Sequence, residues 1–199
     1  MNIKDYKKNA DIFKILKSRR SIRRFKQTPI EADLLMDIVD AGRLAPSAAN
    51  LQPIAYVIVN DKKLCSEIFE TIGWAAYIKP TWKPDKKERP VAYIVLLVSD
   101  VKNLYYQRDV SLSAENIIIA AEANTIGSCL ICNIDKQKIR DCLNIPNSYE
   151  IDSLIALGYK AENPVIEDLT DSIKYWRDEN EKLHVPKRKL KNIVHINKF

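Results

Sequence analysis

Eight consecutive residues, Ser18-Arg19-Arg20-Ser21-Ile22-Arg23-Arg24-Phe25, hold four arginines and two serines. Guanidinium groups are permanently charged, forked donors that match phosphate oxygens, and short hydroxyls fill the positions between them. The run is therefore a candidate phosphate cradle, although a basic run also suits a solvated face. A second segment, Ala45-Pro46-Ser47-Ala48-Ala49-Asn50-Leu51-Gln52-Pro53, sets a serine and two carboxamides between prolines and leads into the apolar stretch 54–59. The other dense basic run is Lys187-Arg188-Lys189-Leu190-Lys191. Cys129-Leu130-Ile131-Cys132 has redox-motif spacing, but a reactive dithiol needs a helix N-terminus to lower its pKa. Here residues 124–127 read as a helix end and an apolar, strand-like piece follows, which turns side chains three apart to opposite faces. A zinc site needs about four ligands, and Cys65, Cys142, His184 and His195 are distant in sequence. These cysteines read as structural thiols, with no metal expected.

The two N-terminal segments together resemble the nitroreductase family of flavin mononucleotide (FMN) enzymes. The family's Arg-x-Ser-x-Arg run is met by Arg19, Ser21 and Arg23, and its Pro-Ser-x-x-Asn-x-Gln-Pro loop by residues 46–53. The resemblance continues through residues 109–131, Leu157-Gly158-Tyr159 and the basic closing stretch 186–195, and is poor over 73–89 and 165–185. It implies an α+β nitroreductase-like fold, with a central mixed, mainly antiparallel sheet flanked by helices, in an intertwined homodimer. It also implies one domain over 1–199 whose tail, from about residue 165, extends towards the partner subunit.

The same resemblance implies the site. Arg19, Ser21 and Arg23 would pair with phosphate and ribityl oxygens, and Arg20 would contribute through its backbone. Asn50 would hydrogen-bond the polar edge of the flavin ring, and Gln52 would brace the loop. Pro46 and Ser47 would touch the flavin bound mainly by the other subunit. Ile131 and Cys132 would pass the flavin N5 through backbone groups, and Lys187 and Arg188 would complete the phosphate site. Leu130 stands where many relatives carry a large aromatic. No residue is expected to be catalytic in itself, because flavin carries hydride chemistry and the protein binds, orients and tunes it. The implied reaction is ping-pong: hydride from NADH or NADPH to the flavin N5, then to a small oxidised acceptor of nitroaromatic or quinone type. Alternatives on the same scaffold are reductive dehalogenation, dehydrogenation and flavin breakdown.

Composition bounds the rest. A chain of 199 residues that is 46% hydrophobic can fill one core. No run approaches the roughly 20 apolar residues of a membrane span, and Met1 to Lys8 lacks the apolar stretch of a signal peptide, so the reading is cytoplasmic with no membrane partner. A net charge of +6 and a pI near 9.0 attract anions. A non-enzymatic anion- or nucleic-acid-binding domain is the competing class, but no recognition helix or base-stacking signature supports it, so no nucleic-acid partner is expected.

The elements that must position these residues follow from patterning. Residues 11–17 read as a short helix delivering the arginines. Thr28-Pro29-Ile30-Glu31 is a capping box that predicts a helix over 29–44. Residues 54–59 read as a strand, and a helix follows from Asp61 to about residue 72. The continuous apolar run 91–98 suits a strand covered on both faces. A strongly apolar helix over 108–125 stops at Gly127, a helix spans 135–143, and a strand spans 150–157. Three or four strands separated by helices predict a mixed α+β arrangement around one sheet.

Overall fold

The computed structural model of the protein describes residues 10–78, 82–99, 101 and 103–199. The stretch read for a leader, residues 1–8, lies outside the described residues, as do residues 79–81 of the poorly matching segment 73–89. The chain divides into two compact units, residues 1–73 with 84–161, and residues 74–83 with 162–199.

The first unit is built on a four-stranded antiparallel sheet. Its strands are β1 (Ile54–Val59), β2 (Ala92–Val98), β3 (Ile126–Ile131) and β4 (Glu150–Tyr159), in the order β1-β2-β4-β3. All seven residues of β2 are buried, as its unbroken apolar run predicts. Helices α2 (Ala32–Arg43) and α4 (Tyr106–Ala123) share a core with the sheet, in which Leu35 and Ile38 meet Ile94, Leu96, Ala114, Ile117, Ile155 and Leu157. Each fully buried Leu or Ile contributes about 1.5–3 kcal/mol, which makes this face the main support of the fold. Helix α1 (Ala10–Ser18) lies against α4, and α3 (Lys62–Phe69) against α5 (Lys136–Leu143). Asp61 caps α3 by accepting from the Lys63 and Leu64 N–H groups, and Asp135 caps α5 through Lys138.

Among the boundaries that differ from the sequence reading, three have a clear physical cause. Helix α2 starts at Ala32 rather than 29, and no side chain caps it. Ile30 is needed in the core, at 5% exposure, and extended backbone through Glu31 (φ −61°, ψ 140°) carries it there. Helix α3 ends at Phe69 because Ile72 bridges Ile134 and the Gly73 N–H donates to the Asn133 carbonyl at 2.9 Å. Helix α4 ends without Gly127: Asn124 caps it, Thr125 takes the left-handed turn (φ 62°), and Gly127 lies inside β3.

The second unit holds a three-stranded sheet that the sequence reading lacks. β5 (Val165–Asp168) pairs in parallel with β7 (Leu183–Lys187), which pairs antiparallel with β6 (Trp176–Arg177). Arg177 meets Glu162 at 2.6 Å and lies over the Trp82 ring. His184 sits between Glu167 and Asp178, at 3.1 and 3.2 Å, and stacks on Trp176. Among the described residues, no helix is long and apolar enough to cross a membrane.

Candidate flavin site

The arginine run leaves α1 and crosses the ends of β3 and β4. Ser21 bridges Ser128, and the Ile22 N–H donates to the Ser128 carbonyl at 2.8 Å. Four residues on, Phe25 bridges Lys160, and the Lys26 N–H donates to the Tyr159 carbonyl at 2.7 Å. Ile22 and Phe25 are buried and anchor the segment, leaving the flanking arginines partly exposed. The bed beneath them is a cross-strand glycine pair, Gly127 opposite Gly158. A Cβ at 127 would lie 3.0 Å from Ile22, and one at 158 would lie 2.8 Å from the Phe25 Cβ. Hydrogen at both positions is what allows so close an approach.

Carboxylates flank the run. Arg19 Nε lies 3.9 Å from Glu115 and Arg24 Nε 3.4 Å from Glu88. The Arg20 guanidinium donates to the Arg19 carbonyl, and its buried Nε has no hydrogen-bond partner among the described residues. Burial, and then the neighbouring Arg19, pull the Arg20 pKa below its ordinary value. Two residues missed in the sequence belong here. Lys160 meets the nearly buried Glu122 at 2.6 Å, and Glu122 also accepts from the Ser18 hydroxyl. No local motif marks them, because they lie 38 residues apart.

The 46–53 segment forms a short 3-10 turn over Ala48–Asn50. Ala49, Asn50 and Gln52 all have positive φ, at 48°, 57° and 49°. For residues other than glycine such backbone costs on the order of 1 kcal/mol each. Internal bonds hold the shape: the Gln52 N–H donates to Ser47 Oγ at 3.0 Å, and the Asn50 N–H to the Ser47 carbonyl. The Ala48 N–H donates to buried Asp109 on α4 at 2.9 Å. A cavity of about 140 Å³ is lined by Pro46, Ser47 and Gln52 from the loop and by Tyr56, Asp109 and Ser113 behind it. Tyr56 and Ser113 share a hydroxyl hydrogen bond of 2.7 Å there.

Ile131 ends β3, three residues beyond Ser128, so the strand that receives the arginine run also delivers Ile131 and Cys132. Cys129 is buried and Cys132 exposed. Partial desolvation, reinforced by Asp152 and opposed by Lys136, pushes the Cys132 thiol up, away from a reactive thiolate. The structure does not bring the two N-terminal segments to one edge. The 46–53 loop enters β1, at the opposite edge of the sheet from β3, and three strand spacings amount to roughly 14 Å. Lys187 and Arg188 lie in the second unit, where Lys187 ends β7 and its carbonyl accepts from the Leu169 N–H at 2.8 Å.

A family model described as the nitroreductase family matches residues 16–159, from within α1 to the last residue of β4. The chain belongs to the nitroreductase family. Its relatives include a Methanothermobacter thermautotrophicus protein provisionally described as an NADH dehydrogenase/NAD(P)H nitroreductase, 29% identical over 81% of this chain and 83% of that one. An iodotyrosine deiodinase from Thermotoga neapolitana is 28% identical over 74% of this chain and 88% of its own. Among solved structures, an FMN-dependent nitroreductase from Clostridium difficile is 26% identical, with a TM-score of 0.67 over 93% of this chain and 98% of that one. The sheet flanked by helices is thus the family fold, and the chain is an oxidoreductase.

Proposed function

We propose that the protein binds FMN and passes hydride from NADH or NADPH to a small oxidised acceptor of nitroaromatic or quinone type. The observation that carries this reading is the arginine segment over the glycine pair, a bed that gathers four guanidinium groups and a buried Arg20 Nε with no hydrogen-bond partner among the described residues. That donor set fits a phosphate dianion and the hydroxyls of a ribityl chain. Arg19, Ser21 and Arg23 would hold the phosphate end, with Arg20 adding its backbone. Ile131 and Cys132 would present backbone groups to the ring. FMN, when bound, supplies the hydride chemistry, and the chain's own residues bind it, orient it and leave one face open.

The edge-to-edge separation supports a homodimer. The 46–53 loop lies across the sheet from the arginine run of its own chain, so a second copy is the source of a loop that could reach it. Pro46, Ser47, Asn50 and Gln52 would then line the ring from that copy. Lys187 and Arg188 are retained as phosphate ligands on the family resemblance alone.

The test is direct. Purified protein supplied with FMN should turn yellow, bleach anaerobically on NADH or NADPH, and regain colour on a quinone or nitroaromatic, with parallel double-reciprocal lines. Failure to hold FMN, or to bleach with either nicotinamide, would sink the reading. The 28% identity to an iodotyrosine deiodinase favours a second acceptor class, a halogenated phenol. Release of iodide from iodotyrosine by the reduced protein, with no quinone turnover, would select it.

A further inference from the structure

We propose that Asp109 is a positioning residue that holds the 46–53 loop in its ligand-facing shape. The inference rests on reading that loop as part of the flavin site. The loop adopts a backbone it would not keep unaided, with three non-glycine residues at positive φ. Packing does not hold its turn: none of Ala48–Asn50 is buried, and a cavity of about 140 Å³ lies behind the loop in place of core side chains. Most of its hydrogen bonds are internal and would travel with it. It is tied at its exit, where the Ser99 N–H and hydroxyl donate to the Pro53 carbonyl at 2.9 and 3.1 Å. At its middle the tie is the Ala48 N–H to Asp109 Oδ1, at 2.9 Å.

Asp109 is built for that task. It is 3% exposed, yet both of its oxygens face donors, the second meeting Asn103 Nδ2 at 3.5 Å. It stands in the first turn of α4, where unpaired helix N–H groups favour a carboxylate. Val110 and Ala114, one and five residues on, are fixed in the core, so the carboxylate is presented from a rigid element. A neutral acceptor of the same shape would make the same bond less strongly. A methyl group would leave the loop without its central tether.

The experiment compares Asp109→Ala, Asp109→Asn and Asn50→Ala with wild type. Amide hydrogen exchange across residues 48–52 should accelerate on the order of tenfold to a hundredfold in Asp109→Ala, the loss of one charge-assisted hydrogen bond. The amides of β2 and β4 should be unmoved, and Asp109→Asn should restore most of the protection. FMN affinity in Asp109→Ala should fall with that of Asn50→Ala, and the double variant should be no worse than the weaker single one. Unchanged exchange over 48–52, or strictly additive losses of affinity, would overturn the proposal. Should Asp109→Ala fail to fold, Ala48→Pro deletes the donor instead and must release the 50–52 amides alike. Unaltered FMN binding in Asn50→Ala would refute the flavin reading of the loop, while the exchange result would still decide the role of Asp109.

Discussion

Replacing Gly158 with alanine adds one methyl group beneath the most buried anchor of the arginine segment. The new Cβ would stand 2.8, 2.9 and 3.0 Å from Phe25 Cβ, Cδ1 and Cγ. Carbon pairs prefer about 3.5–4.0 Å, so Phe25 must retreat by roughly 0.5–1 Å. It has nowhere easy to go. Its side chain is wholly buried, its N–H donates to the Glu88 carbonyl at 3.0 Å, and the Lys26 N–H is tied to Tyr159 at 2.7 Å. Overpacking of this kind costs about 1–3 kcal/mol, against which removing a strand glycine returns about 0.5–1 kcal/mol. At mid-range the net destabilisation is about 1 kcal/mol, or a Tm lower by about 2–4 °C for a chain of this size. Arg23 and Arg24 move with Phe25, so FMN affinity should fall about tenfold, equivalent to about 1.4 kcal/mol. Thermal melts of the FMN-free protein and a flavin fluorescence titration read the two effects separately. A Gly158→Ala protein that melts and binds FMN as wild type does would refute the account of the glycine bed.

Three further outcomes are expected. Arg19→Ala or Arg23→Ala should each weaken FMN binding by about tenfold to a hundredfold, the 1.5–3 kcal/mol of a charge-assisted hydrogen bond; unaltered flavin occupancy in both would remove the phosphate assignment. Burial pushes the Cys65 thiol up to about 12, so the folded state keeps a proton that the unfolded chain releases above its ordinary pKa. The stability this supplies is whole below about pH 8.5 and is lost above it by up to about 1.4 kcal/mol per pH unit; urea melts from pH 8 to 10.5 should show that slope in wild type and a shallower one in Cys65→Ala. Cys129→Ser should keep turnover within a few-fold, because Cys129 is buried in β3 and Cys132 lies exposed beyond it; a Cys129–Cys132 disulfide appearing during turnover would contradict this.

What was readable in the sequence was local. The strand Ile54–Val59 has the expected bounds, and the helix capped by Asp135 ends at Leu143 as expected, since apolar patterning and a capping aspartate act within a few residues. The capping box at Thr28 failed because burial of Ile30, a tertiary demand, outweighed a cap. Gly127 has the local marks of a helix stop, since glycine commonly ends helices, whereas its role comes from Gly158 and Ile22, far off in the chain. The second sheet escaped notice because β5 and β7 are short, pair in parallel and carry mixed polarity. The arginine and Pro-Ser-x-x-Asn motifs were legible as motifs. Their placement at opposite edges of the sheet was not, and neither was Asp109, one of several polar residues on α4 and with no local mark of its burial.

Strand β4 is the last of the four main-sheet strands in the chain, yet it lies inside the sheet, between β2 and β3. During synthesis β2 can pair with β1 as soon as both are made, but β3 has no strand partner until residues 150–159 appear. In that interval its Ile126–Ile131 backbone is an open, apolar edge of the kind that recruits other chains. The arginine segment waits too, since Phe25 rests on Gly158, 133 residues later. At elongation rates of about 5–20 residues per second, roughly 7–27 s separate the two. A chain released before residue 150 would carry that open β3 edge and an unseated arginine segment, so truncation products should aggregate, while the finished chain closes its sheet and seats the arginine segment in the same step.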